Sequence, residues 1–156
     1  MRLRLANRQQ RDPVPTRWLG TLACRAARHL KITGPGSMAV TFVDGPTMQR
    51  LNRQFTGHRH LTDVLSFNYL EWGDGLPRRV ASRSEAGGVV GEILVAPAAA
   101  RRYAQEHGVP YREELARYVV HGLLHWLGHE DRTLAEQRRM RAREDAVLTH
   151  CEALAA

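Results

Sequence analysis

The sequence predicts a small α+β domain in which a four-stranded mixed sheet is packed with helices. Its 156 residues suit one domain, and a composition of 43% hydrophobic and 25% charged residues is typical of globular proteins. Four segments are rich in strand-forming or alternating residues, and five show the apolar spacing of helices. Their order, β-α-β-α-β-β-α-α-α, favours a single sheet covered by helices, so we expect one domain over residues 1–156.

The first half of the chain contributes two strands and two helices. Arginine and leucine alternate at residues 1–5, which predicts a strand. Apolar residues recur at helical spacing over residues 15–30, and the Gly-Pro-Gly that follows ends this helix. A second strand is predicted at residues 38–43, and a short helix then runs to about Phe55.

The second half is predicted to hold two strands and then three helices, at residues 63–69, 89–95, 97–106, 111–127 and 134–153. A glycine-rich stretch at 71–88 separates the two strands and is interpreted as a loop of low order. Gly108 and Pro110 end the first of the three helices, because glycine closes a helix and proline cannot continue one. Trp126 falls on the apolar stripe of the second, which predicts a core position.

Charge and targeting features narrow the class of protein. The net charge is +7, and all but one of the 23 basic residues are arginine. Arginine suits phosphate and base contacts, so a nucleic-acid partner is plausible, although a GC-rich genome explains the same composition equally well. The sequence contains no run of 18 apolar residues, so no membrane span is predicted. The first residues lack the apolar core of a signal peptide. Two cysteines make no disulfide framework, so we expect a reducing cytoplasm.

One segment, His121 to Asp131, carries recognisable chemistry. His121 and His125 are four residues apart on a predicted helix, so their rings share one face and can bind one ion. Such a pair often lies unused on a solvated face, but three of the eight histidines fall within the nine residues 121–129. Gly128 can bend the chain back, so that a residue at 129–131 completes three ligands. Three ligands with an open position are typical of catalytic zinc, which lowers the pKa of bound water to about 7.

Three blocks of the sequence resemble one family. The first is His-Gly-x-Leu-His-x-x-Gly at residues 121–128, with a further ligand at the tenth position after His121. The second joins the Asn-x-x-aromatic at 52–55 to Thr-Asp-Val-Leu-Ser-Phe at 62–67. The third is Gly-Glu-Ile at 91–93. In this order they are similar to the YbeY family of metal-dependent endoribonucleases.

The resemblance implies an α+β fold with a four-stranded mixed sheet and one zinc ion. It further implies a single-strand-directed endoribonuclease that matures rRNA, at the 3′ end of the small-subunit rRNA, and takes part in ribosome quality control. The implied partners are rRNA and the small ribosomal subunit in the cytoplasm, with no membrane and no small-molecule cofactor.

The third metal ligand departs from the family pattern. Asp131 stands where the family usually has His, and His129 stands where it commonly has Tyr. Aspartate is a competent ligand through oxygen. We favour Asp131 over His129, because a residue immediately after the turn glycine has little room to swing back. The predicted ligands are therefore His121, His125 and Asp131.

The expected phosphate-binding arginine is also displaced. The family commonly has arginine after the aromatic residue of its second block, and Thr56 stands there in this chain. Arg53 and Arg59 are the candidates to neutralise charge on the phosphate. Glu130 is our candidate general base, with Asp63 or no separate base as alternatives.

Two other functions compete with the nuclease. One is a zinc hydrolase of peptides or small amides. A zinc peptidase would carry glutamate beside the first histidine, as in H-E-x-x-H, whereas this chain has Gly122. A non-catalytic ribosome-binding protein would hold the metal with four ligands, which needs His129 as the fourth.

Outside this segment, Gly91 and Glu92 are interpreted as part of a strand that another segment approaches closely. The acidic residues of the last helix, among them Glu144, are interpreted as part of a solvated face.

Overall fold

The structure is a computed structural model, and it describes residues 1–56, 63–71 and 88–154. The predicted loop at 71–88 lies almost entirely outside these residues. The strands are β1 (Arg2–Asn7), β2 (Ser37–Phe42), β3 (Val64–Asn68) and β4 (Val89–Val95). The helices are α1 (Thr16–His29), α2 (Gly45–Thr56), α3 (Pro97–His107), α4 (Tyr111–Trp126) and α5 (Leu134–His150). The predicted order of elements is confirmed, and most of their ends differ by only one to three residues.

The four strands form one mixed sheet in the order β1-β2-β4-β3. β1, β2 and β4 are parallel, and β3 pairs antiparallel with β4 at one edge. Helices connect the parallel strands, as parallel pairing requires. This is the predicted α+β architecture with a four-stranded mixed sheet.

Helix α4 lies at the centre of the core. It contacts α1, α3, α5, β3 and β4, and side chains all round it are buried, which is the pattern of a helix enclosed by its neighbours. Trp126 is buried near its end and donates from Nε1 to the carbonyl oxygen of Val90 at 3.2 Å, so its predicted core position is confirmed. Within the described residues, no helix has the length and apolar composition to cross a bilayer.

Two glycines allow α4 to approach β4 closely. A Cβ at Gly122 would overlap the buried side chain of Ile93, and a Cβ at Gly91 would overlap the indole of Trp126. Gly122 therefore supports packing, and the interpretation of Gly91 as a close-approach position is confirmed. Close contact at both points fixes the depth of α4 against the sheet.

We expect Gly122→Ala to lower the free energy of unfolding by about 1–3 kcal/mol, because the added methyl group overpacks a buried contact. Gly20→Ala in α1 is the matched control. A Cβ there meets nothing within 4 Å, so alanine should be neutral or stabilising. Urea denaturation of both variants checks this, and equal stabilities would contradict the proposed packing role of Gly122.

Candidate metal centre

Helix α4 and strand β3 together position the two histidines. His121 and His125 lie on the last turns of α4, half-buried on the same face. β3 holds this end of the helix through two side chains. Ser66 Oγ donates to the Gly122 carbonyl oxygen at 3.0 Å, and Asn68 Nδ2 donates to the Trp126 carbonyl oxygen at 3.0 Å. The histidine rings are therefore carried on a helix end that is tied to the sheet.

The turn after α4 brings a carboxylate back to the histidines. Gly128 has a φ of +99°, the left-handed conformation predicted for it. Its N–H donates to the His125 carbonyl oxygen at 2.9 Å, and the N–H of His129 donates to the Leu124 carbonyl oxygen at 3.1 Å. These two bonds form a Schellman motif, which reverses the chain direction. Asp131 then lies beside the imidazole rings of His121 and His125 on α4.

Three donor atoms converge at this point. His121 Nε2 lies 3.0 Å from His125 Nε2, and Asp131 Oδ2 lies 3.4 and 3.3 Å from these two nitrogens. Ligands at 2.0–2.1 Å from a tetrahedral ion are separated by about 3.3–3.4 Å, so the spacing fits one zinc-sized cation. In the part of the chain that the structure describes, this is the one group of three or more possible ligands with such convergence.

A buried carboxylate fixes the orientation of His121. Glu144 Oε2 accepts a hydrogen bond from His121 Nδ1 at 2.6 Å. A carboxylate only accepts, so Nδ1 carries the proton and Nε2 presents its lone pair to the other two ligand atoms. Arg117 holds Glu144 in turn, at 3.1 Å, and its second nitrogen lies 2.8 Å from Asp145.

The interpretation of Glu144 as part of a solvated face is wrong, since Glu144 is only 5% exposed. The position of Glu144 on α5 indicates that its side chain is buried. Met140, Val147 and Leu148 are the other buried residues of that helix, and Glu144 has helical spacing with each of them. A charged residue on an apolar stripe indicates a buried partner.

A cavity of about 330 Å³ adjoins the ligands and is lined by both His121 and Asp131. Asp63 lies on its wall, and burial raises the pKa of this carboxyl against the lowering effects of the Tyr118 hydroxyl and the Arg102 charge. Glu114 lines the same cavity and is 5% exposed. Burial raises the pKa of Glu114 against the opposing effect of the Arg117 and Arg141 guanidiniums, and the carboxylates of Glu144 and Asp63 raise it further.

We expect Glu114→Gln to stabilise the protein at neutral pH. An acid whose pKa is raised by folding binds its proton more tightly in the folded state. Its contribution to stability is complete at acidic pH and is lost as the pH rises through the folded-state pKa. Removing the charge should raise Tm by about 2–4 °C at pH 7, which corresponds to about 1 kcal/mol, and by less at pH 4. Calorimetry of both proteins with chelator at the two pH values checks this, and an equal or larger gain at pH 4 would contradict it.

Of the remaining predicted site residues, Glu130 and Arg53 lie away from the converging ligands. Glu130 is exposed, 3.3 Å from Arg132, and does not line the cavity. Arg53 is exposed in the last turn of α2. Arg59 lies outside the described residues. His129 is not in the converging group, and burial together with the Arg143 charge lowers its pKa.

Comparison with known proteins places the chain in one family. A family model described as Endoribonuclease YbeY matches residues 4–152. The protein named Endoribonuclease YbeY of Moorella thermoacetica is 36% identical over 148 residues, which covers 91% of this chain and 92% of that protein. The protein of the same name from an Exiguobacterium species is 31% identical over 127 residues, or 81% and 80% of the two chains.

The fold also matches a solved structure. The solution structure of TM1509 from Thermotoga maritima superposes with a TM-score of 0.59, covering 96% of this chain and 88% of the other. At 23% identity this likeness concerns the fold alone.

Proposed function

Because the chain belongs to the YbeY family of endoribonucleases, it is a hydrolase of RNA phosphodiester bonds that acts in rRNA processing, and we propose a finer assignment. The enzyme is a zinc-dependent, single-strand-directed endoribonuclease. It acts in the cytoplasm on the 3′ end of small-subunit rRNA, with the small ribosomal subunit as its partner, and contributes to ribosome quality control. The +7 charge, nearly all of it from arginine, supports a polyanionic substrate.

The convergence of His121, His125 and Asp131 carries this proposal. Two neutral imidazoles and one carboxylate are donors that zinc accepts, and their separations fit a single tetrahedral ion. A divalent cation held there supplies Lewis acidity, which polarises phosphoryl oxygens and makes water easier to deprotonate. The three side chains are partly exposed, so an RNA backbone has access to them.

Proton transfer is assigned to a carboxylate on the cavity wall. Asp63 lines the cavity together with His121 and Asp131, and burial raises the pKa of its carboxyl, which makes the carboxylate a stronger base. We therefore rank Asp63 above Glu130, which pairs with Arg132 on the exposed side of the turn. Arg53 and Arg59 remain the proposed phosphate ligands, since both guanidiniums of the cavity already face carboxylates. Arg117 pairs with Glu144 and Asp145, and Arg141 lies 4.0 Å from Asp145.

The same geometry weighs against the competing functions. Gly122 stands where an H-E-x-x-H peptidase carries its base, and a side chain there would overlap Ile93. A structural zinc site is closed by four protein ligands. Among the described residues, the converging group has three members and His129 is not one of them.

The test is cleavage of a single-stranded fragment from the 3′ region of small-subunit rRNA. The wild-type protein should cleave it, a chelator should abolish cleavage, and zinc should restore it more effectively than magnesium. His121→Ala should lose activity. His107→Ala is the matched control, because His107 is an exposed histidine stacked on Tyr103 in α3, and it should cleave normally.

Other outcomes separate the alternatives. Cleavage that survives both chelation and His121→Ala would contradict the metal assignment. Binding of the RNA without cleavage would favour the ribosome-binding protein, and turnover of casein would favour the peptidase.

A further inference from the structure

The cavity beside the ligands contains an acid that the proposed mechanism does not use. Glu114 is 5% exposed and lies on α4 two turns before His121. Its carboxylate makes no hydrogen bond or ion pair to any of residues 1–56, 63–71 and 88–154. Every fully enclosed side-chain oxygen or nitrogen in those ranges has a partner. The accessible surface of the Glu114 oxygens therefore faces the cavity that this residue lines.

The other buried acid of the cavity is already engaged. Glu144 accepts from His121 and Arg117. Glu114 makes no such bond to the described residues. A carboxylate that is buried without a hydrogen bond lowers stability, and proteins retain such groups chiefly where they serve binding or catalysis.

Charge and spacing restrict the ligand. Four carboxylates line the cavity against two guanidiniums, those of Arg117 and Arg141, so a phosphate is disfavoured. A second metal ion is also disfavoured. Within the described part of the chain, Glu114 belongs to no group of three possible ligands that converge within 4.8 Å. A hydrogen-bond donor without negative charge remains, and the edges of RNA bases are such donors.

The dimensions fit one nucleobase. A volume of about 330 Å³ is at the lower end for small-molecule pockets. Val64 and Met140 supply apolar wall beside the polar groups. Enzymes that act on single-stranded RNA read splayed bases by hydrogen bonds to the Watson–Crick edge within such pockets.

We propose that this cavity binds the base of a nucleotide next to the cleaved bond, and that Glu114 accepts hydrogen bonds from its Watson–Crick edge. Guanine is the expected base, since its N1–H and N2 amino group are adjacent donors that match the two oxygens of one carboxylate. Glu114 is then a specificity-determining residue. The inference rests on the proposed nuclease function, because that function places RNA at the ligands.

The test uses short RNA oligonucleotides with one variable position on either side of the cleaved bond. At one of these positions the wild-type enzyme should prefer guanine over uracil by about tenfold or more in kcat/KM. Inosine, which lacks the N2 amino group, should lie between them. Glu114→Gln should reduce the preference to less than about threefold, because its amide presents a donor where the base also donates. Glu113→Gln, one residue earlier on α4, removes the same charge without lining the cavity and should keep the preference.

A binding measurement separates this inference from the nuclease proposal. Guanosine added to the wild-type protein should shift the NMR signal of the Met140 methyl group, whereas uridine should shift it much less, and Glu114→Gln should remove the difference. Equal rates with all four bases, or a preference that persists in Glu114→Gln, would overturn the inference while leaving the nuclease intact. If no oligonucleotide is cleaved in a chelator-sensitive way, the nuclease proposal fails, and the guanosine titration still decides whether the cavity takes a base.

Discussion

Asp131→Ala is expected to purify with almost no bound zinc, and its affinity for added zinc should fall by more than the 10–100-fold that loss of an outer contact typically costs. The reason is geometric. Asp131 Oδ2 is the third corner of a triangle with the Nε2 atoms of His121 and His125, and two imidazoles alone hold zinc weakly. Metal content by mass spectrometry and competition with a chromophoric chelator measure the effect. RNA cleavage should be lost with the metal.

His129→Ala is the matched control for this result. It removes an imidazole two residues away that is not part of the converging group, so it should keep wild-type zinc content. Asp131→His, which replaces the carboxylate by a third imidazole, should also keep zinc. The reverse pattern, with metal lost from His129→Ala and kept in Asp131→Ala, would reassign the third ligand.

Glu144→Ala should lower zinc affinity by about 10–100-fold although Glu144 is no ligand. Without its carboxylate, the Nδ1–H of His121 loses its acceptor, and the ring is free to rotate or to change tautomer. Arg117 also loses one of its two partners in a buried setting, which should lower stability by several kcal/mol. Glu144→Gln retains an oxygen acceptor for Nδ1–H and should recover much of the affinity. Nitrogen NMR of the imidazole reports the tautomer directly.

Asp145→Ala separates the effect on His121 from the ion pair. It removes the other partner of Arg117, at 2.8 Å, without touching His121. Zinc affinity should therefore stay at the wild-type value even if stability falls. Equal losses of affinity in Glu144→Ala and Asp145→Ala would show that Glu144 acts only by supporting the fold.

The element order was predictable because it depends on local spacing. Alternation and helical periodicity indicate which residues face a core, and both can be recognised in short segments of the sequence. The order of strands in the sheet is a different matter. Nothing in the pattern of β4 indicates that it lies between β2 and β3, because pairing depends on contacts between segments far apart in the chain.

The site residues also differ in how well the sequence predicts them, because some are close together in the chain and one is distant. His121, His125, Gly128 and Asp131 lie within eleven residues, so helix geometry and one turn were enough to group them. Glu144 meets His121 across 23 residues and a change of helix. Its arginine-rich surroundings favoured a solvated position, and only the apolar stripe of α5 argued otherwise.

The contact between Glu144 and His121 also sets a sequence of events during translation. A nascent chain leaves the ribosome from its N-terminus, so both imidazoles emerge before the helix that carries Glu144. Until α5 docks on α4, the first imidazole has no acceptor to select its tautomer. A protein assembled in this order acquires its full metal affinity only after α5 has docked on α4.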